Sequence, residues 1–104
     1  MCKVVTFGYK HSEPPVDCKI IDCRKLPNPW KIRSLRKLKG DDPRILAYLR
    51  KNNNFLVEQL FEEACNFYIQ EKCTKIAFGC HGGRHRSVAI ATLFRNWLYY
   101  NKNN

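Results

Sequence analysis

The chain has 104 residues and a net charge of +10, from 19 Lys and Arg against 9 Asp and Glu. That length holds one domain around one core and excludes a second independent domain. With 44% hydrophobic residues the chain has the composition of a folded protein, not a disordered one. Its charge excess points to polyanionic partners: nucleic acid, a membrane surface or phosphate ligands.

Met1-Cys2-Lys3-Val4-Val5-Thr6-Phe7 lacks the apolar region of a signal peptide and runs straight into strand-like sequence, so a cytoplasmic location is expected. No apolar run approaches the roughly 18 residues that span a membrane. Lys3–Tyr9 reads as a strand of β-formers. His11–Pro15 reads as a loop, ended by Pro14 and Pro15. Cys18–Cys23, centred on Ile20 and Ile21, reads as a second strand. Leu26-Pro27-Asn28-Pro29 cannot continue it, because proline brings no backbone donor. Asp22 and Arg24 therefore fall near a strand's carboxyl end, where open α/β sheets place ligand contacts.

Residues 24–40 are basic and leave room for one more short strand. Asp42 is placed to cap a helix with Pro43 at its first position. Arg44–Lys51 forms a short helix, Asn52-Asn53-Asn54 interrupts it, and Phe55–Gln70 forms a longer one. In the longer helix Leu56, Leu60, Ala64 and Phe67 recur at helical spacing, and Glu58, Glu62 and Glu63 point outward. Lys75–Phe78 is a third strand. Arg86–Tyr100 is an amphipathic helix followed by a polar tail, Asn101–Asn104. A long helix between strands implies a parallel crossover. The expected fold is therefore a small single α/β domain over 1–104, a short mainly parallel sheet flanked by helices. Cys18, Cys65 and Cys73 are expected to be small buried hydrophobes, and no Cys-x-x-Cys is present to suggest a zinc knuckle.

Gly79-Cys80-His81-Gly82-Gly83-Arg84-His85-Arg86-Ser87, between a strand and a helix, carries the chemistry. Glycines let the backbone approach a ligand, and the following helix offers unpaired N–H groups and a partial positive charge. Cations there oppose the helix dipole by roughly 0.3–1 kcal/mol each. Arg84 and Arg86 thus work against their own helix unless an anion binds. Ser87 is placed as its N-cap. Cys80 and Arg86 also satisfy Cys-x5-Arg, the loop in which a cysteine-dependent phosphatase attacks phosphorus and clamps the phosphoryl oxygens. Such an enzyme needs a general acid, for which Asp22, Asp41 and Asp42 are the candidates. Binding and turnover both stay open on these residues.

Three ordered motifs carry a family resemblance: Thr6-Phe7-Gly8-Tyr9-Lys10, Asp22-Cys23-Arg24-Lys25-Leu26-Pro27-Asn28-Pro29 and Gly79–Val88. Together they resemble the C-terminal domain of the RNase adapter RapZ family, here as a stand-alone version, over about Val4 to Trp97. The resemblance implies an α/β module similar to a sugar-phosphate-binding part of phosphofructokinase. It implies a regulatory module that binds glucosamine-6-phosphate or a similar amino-sugar phosphate and contacts small regulatory RNA. The matched ligand positions are Asp22, Cys80, His81, Gly82, Gly83, His85, Arg86 and Ser87, with Lys10 and Arg24 as basic motif residues. His81 stands where the family has Thr, and Trp30 where it often has His.

Lys31, Arg33, Arg36, Lys37 and Lys39, with Trp30 beside them, form the expected RNA stripe through phosphate contacts and stacking. His81, His85 and Cys80 lack a fourth ligand at metal spacing, so no metal and no cofactor are expected. Trp97, Tyr99 and Tyr100 are expected to pack or to form a self-association face, giving a homo-oligomer. The remaining partner is a small phosphorylated ligand, regulated by or simply sequestered on the loop.

Overall fold

The computed structural model describes residues 1–103, with side chains described to Asn101. Three strands form one parallel sheet: β1 (Lys3–Gly8), β2 (Lys19–Asp22) and β3 (Lys75–Cys80), in the order β1-β3-β2. Thr6 and Ile21 flank Phe78, while Gly8 pairs with Cys80 and Asp22 with Gly79. The central strand therefore runs two residues beyond the apolar run ending at Phe78, because both neighbours pair with Gly79 and β1 pairs with Cys80.

Two helices complete the domain, α1 (Pro43–Gln70) and α2 (Arg86–Asn103). They pack on one another, α1 also against β2 and α2 against β1 and β3. Side chains alternate along each strand, so Ile76, Phe78 and Cys80 share one face with Ile21 and Cys23. All five join the core with Ile45, Leu49, Val57, Ala64, Ile90 and Phe94. Phe78, Phe94, Trp97 and Tyr68 form an aromatic cluster within it. The steps β1→β2 and β2→β3 cross the sheet in opposite directions. The right-handed crossover rule thus puts residues 9–18 on the face opposite the helices, where Ala77 and Phe7 are buried. Among the described residues no helix is long and apolar enough to cross a membrane.

The triple asparagine does interrupt α1. Asn53 leaves helical geometry (φ −162°, ψ 68°), and its Oδ1 accepts from the Leu56 N–H at 3.2 Å, starting the second segment. Leu60, Ala64 and Cys65 face the core from that segment, whereas Cys18 and Cys73 are only half-buried, lying at the ends of the sheet rather than beneath a helix. Helix α2 passes the expected end at Tyr100 and runs to Asn103, so most of the expected polar tail is helical, while Asn104 lies outside the described residues.

Asp42 caps α1 as its position suggests: Oδ1 accepts from the Arg44 N–H at 2.9 Å, and the carboxylate pairs with the Arg44 guanidinium. Those hydrogen bonds hold its pKa at about 2. A lowered folded-state pKa gives stability that is complete above the ordinary carboxylate value and lost as pH falls through the folded one. Acid titration followed by circular dichroism should thus show a loss of stability between about pH 4 and 2 that Asp42→Ala removes. An unchanged acid limb in the variant would contradict the capping role.

No further strand occurs in residues 24–40. Pro29–Lys31 and Arg33–Leu35 instead form two 3₁₀ turns. The prolines at 27 and 29 preclude ladder donors, and Asn28 Oδ1 accepts from the Trp30 N–H at 3.1 Å, which favours a turn. Leu26 and Leu35 sink into the core and pin this basic segment to the domain.

Candidate functional site

Parallel strands bring their carboxyl ends to one edge of the sheet, here Gly8, Asp22 and Cys80. From Cys80 the chain turns through His81–His85 into α2. Two glycines allow this turn to lie against the end of β1. Gly83 has φ +73°, and a Cβ there would come within 2.7 Å of the Gly8 nitrogen. A Cβ at Gly8 would meet the Gly82 carbonyl carbon at 2.6 Å. The Tyr9 and Lys10 N–H groups then donate to the Cys80 and His81 carbonyls, each at 2.9 Å. Gly82 has nothing within 4 Å of where a Cβ would sit, so its Cα faces open space while its carbonyl lies against Gly8.

The basic segment clamps the loop from the other side. The Gly40 N–H donates to the Arg84 carbonyl at 3.1 Å, and His85 Nε2 is 2.8 Å from the Leu38 carbonyl. Arg86, only 8% exposed, donates through Nη1 to the Arg24 (2.7 Å) and Leu26 (3.1 Å) carbonyls. One guanidinium thus ties two stretches together: the segment after β2 and the first turn of α2. No acidic residue occupies that first turn.

Cys80 lies beneath the loop. Its thiol donates to Ser87 Oγ at 3.2 Å. Burial pushes the pKa up, but the ionised sulfur accepts from the Ser87 hydroxyl, turned to donate, and from the Ser87 and Gly83 N–H groups; with the Arg86 charge these outweigh burial and leave the pKa below the ordinary 9.0. Ser87 is therefore not the N-cap: α2 begins one residue earlier, at Arg86, and the buried hydroxyl serves the sulfur instead.

Above the loop opens a cavity of about 460 Å³, lined by Lys10, His11, Asn28, Trp30, Cys80, His81, Gly82, Arg84, His85 and Arg86. Lys10, Cys80, His81, Gly82, His85 and Arg86 of the expected ligand set come together there. Gly83 lies behind the loop against Gly8, and Ser87 under Cys80. Asp22 and Arg24 do not line the cavity. They bind each other (Arg24 Nη2 to Asp22 Oδ2 at 2.7 Å, Nε to Oδ1 at 3.0 Å), and the Arg24 guanidinium lies 3.7 Å from the Tyr9 ring centroid. His11 and Asn28 were not part of the expected ligand set; Arg84 was expected to face an anion but was not among the matched ligand positions, and Trp30 was expected beside RNA and at the family's usual His position. Asn28 and Trp30 reach the cavity through the 3₁₀ turns that Pro27 and Pro29 impose. Of the basic stripe, Lys31, Arg33, Lys37 and Lys39 are exposed and Arg36 packs on Trp30. Among the described residues no three His, Cys, Asp or Glu side chains converge as a metal site.

A cavity ringed by cations, over a helix start with no acidic residue, suits an anion of phosphate size. The lowered thiol should show in alkylation. Iodoacetamide labelling of Cys80, followed by peptide mass mapping, should rise with a midpoint below pH 9. Ser87→Ala should move that midpoint upward, and an unmoved midpoint would contradict the assigned hydrogen bond.

Comparison with known proteins converges on one family. A family model described as the RapZ C-terminal domain matches residues 1–104. The chain is similar to proteins named nucleotide-binding protein. One from Alkaliphilus oremlandii is 37% identical over 91% of this chain and 35% of its own length. One from Carboxydothermus hydrogenoformans is 40% identical over 91% and 35%. One from Limosilactobacillus fermentum is 42% identical over 85% and 33%. The chain thus spans about a third of the length of the curated relatives it matches.

Proposed function

The chain belongs to the RapZ C-terminal domain family, and on that premise we propose that it is a regulatory module of the cytoplasm that binds a phosphorylated small molecule in the cavity over Cys80–Arg86. The observation that supports this most is the composition of the cavity wall: Lys10, Arg84 and Arg86 with no carboxylate among the lining residues. The phosphate would sit over the exposed backbone of Gly82, within reach of the Lys10 and Arg84 cations. The names of the relatives, nucleotide-binding protein, agree with a phosphorylated ligand. Family resemblance adds an amino-sugar phosphate as the first ligand to try. A thermal-shift panel of inorganic phosphate, hexose phosphates, hexosamine phosphates and nucleotides tests the reading. A shift by at least one monoester is expected, and no shift by any anion would overturn it.

RNA is the proposed macromolecular partner, held by Lys31, Arg33, Arg36, Lys37 and Lys39 beside the cavity. Its binding should fall steeply with salt, and no gel shift at low salt would remove it. A second copy of the chain, across the exposed Tyr99–Tyr100 end of α2, is the proposed self-association, checked by sedimentation.

Turnover is the second reading, favoured by the Cys80–Ser87 contact and the lowered thiol. The carboxylates argue against it. Arg24 hydrogen-bonded to Asp22 holds its carboxyl below the usual range, so it carries no proton to donate near neutral pH, and Asp22, Asp41 and Asp42 all lie outside the cavity lining. We therefore expect no hydrolysis of ribose 5-phosphate above buffer, because its alkoxide leaving group needs a proton. Turnover that Cys80→Ser abolishes would establish the phosphatase.

A further inference from the structure

Cys80 has a sulfur neighbour that anion binding leaves unused. Asp22 pairs with Gly79 across β2 and β3, and the Cys23 N–H donates to the Gly79 carbonyl at 2.7 Å, which carries the ladder one step past β2. Cys23 therefore stands beside Cys80, and both side chains enter the core on the helix-covered face of the sheet. Neighbouring strands lie about 4.8 Å apart, inside the roughly 4.4–6.8 Å between Cα atoms that a disulfide spans. Both thiols are free.

The two sulfurs are unlike. Cys80 accepts hydrogen bonds from Ser87 and Gly83 as a thiolate, and it lines the open cavity although only 2% exposed. Only a small oxidant reaches it there. Cys23 is fully buried, and its thiol donates weakly to the Ile21 carbonyl at 3.8 Å. Burial, then the charge of Cys80, push the Cys23 thiol up. One sulfur of the pair thus faces the solvent cavity in its reactive form, and the other waits behind it as a thiol. That asymmetry suits an attacking and a resolving cysteine. Elsewhere burial raises Cys2, and Cys65 is pushed up to about 11, so neither competes as a thiolate.

We propose that Cys80 and Cys23 form a reversible oxidation site for a small hydroperoxide. The Cys80 thiolate attacks a peroxide oxygen, the O–O bond breaks, and the departing alkoxide takes a proton and leaves as alcohol, or as water from hydrogen peroxide. Sulfur is oxidised to the sulfenic acid and the peroxide is reduced. The Cys23 sulfur then attacks the Cys80 sulfur. An S–S bond forms, the S–O bond breaks, and the hydroxyl leaves with the Cys23 proton as water. Neither step needs a phosphorylated ligand. The link takes the Cys80 sulfur away from Ser87 Oγ and so removes a contact between β3 and α2 beneath the loop.

Hydrogen peroxide treatment of the full chain, tryptic digestion without reductant and peptide mass mapping test the pair. Peptide 20–24 should be joined to peptide 76–84 within a monomer, and dithiothreitol should release both. Dimedone should trap little Cys80 sulfenic acid in wild type and severalfold more in Cys23→Ala, where no thiol resolves it. Mapping of the wild type decides the pairing even where Cys23→Ala fails to fold. Cys80 carried on to the sulfinic acid with Cys23 still a thiol would overturn the pair. So would earlier oxidation of Cys2 with Cys73, a link found only in disulfide dimers, or an unreactive Cys80.

Discussion

Arg86→Ala should unfold more readily than wild type by about 2–4 kcal/mol and bind phosphate about a hundredfold more weakly. The stability loss follows from the Nη1 contacts. Removing the guanidinium strips the Arg24 and Leu26 carbonyls of their donor, and each buried acceptor left without a partner costs roughly 1–3 kcal/mol. In a domain of this size that is a fall in Tm of roughly 10 °C or more. The binding loss follows from removing a cation from the cavity wall and from releasing the segment after β2 that it holds. A simple anion ligand on a surface arginine would lose binding with no loss of Tm. Arg86→Lys separates the two contributions: it keeps the charge but cannot span both carbonyls, so binding should recover further than stability. Urea denaturation beside phosphate titration checks both, and a variant as stable as wild type would contradict the internal tie.

Gly83→Ala should be the most damaging single-atom change in the loop, and Gly82→Ala one of the mildest. At Gly83 the left-handed backbone, φ +73°, disfavours any side chain by roughly 1–2 kcal/mol. In addition, a Cβ would stand 2.7 Å from the Gly8 nitrogen and 2.8 Å from the Phe7 carbonyl carbon, and neither backbone atom can yield without moving β1. A total of about 2–4 kcal/mol is expected. At Gly82 the space is empty, so stability should stay within about 0.5 kcal/mol of wild type. Ligand affinity is the quantity Gly82→Ala should change, because the added methyl enters the space reserved for the phosphate. Comparable instability in the two variants would mean that the loop does not pack on β1 as described.

Local pattern made much of this legible. Alternating and β-branched runs marked the strands, Asp42-Pro43 marked a helix start, and three asparagines marked the break that Asn53 makes in α1. The Gly-rich loop between strand and helix carries most of the cavity wall in one run of sequence. What the pattern could not supply was the company each loop residue keeps. His85 and Arg86 look in sequence like two more cations for a ligand. In the fold both are also drawn inward by carbonyls of the basic segment, 47 and 60–62 residues earlier in the chain. Such contacts leave no periodic trace. The same holds for Gly40, whose missing side chain makes room for Val88 and the Arg84 and His85 carbonyls. Residues 24–40 were readable as basic, but the strand expected among them is absent, and their docking onto the loop, which carries Asn28 and Trp30 to the cavity, depends on that long-range fit. Asp22 and Arg24 show the converse. Each is plausible alone as a ligand contact, and their spacing two residues apart lets them satisfy one another.

The central claim is that the cavity over Cys80–Arg86 binds phosphate monoesters through its cations. It is tested most directly on Lys10→Ala/Arg84→Ala, because both side chains are exposed, line the cavity and leave the core untouched. Thermal unfolding should be followed in wild type and double variant as a phosphate monoester is titrated. Wild type should gain about 2.7 kcal/mol at a hundred times the dissociation constant, and the double variant should start at the same Tm and gain far less. An equal gain in both proteins, or none in wild type, would contradict the assignment of this cavity as the anion site.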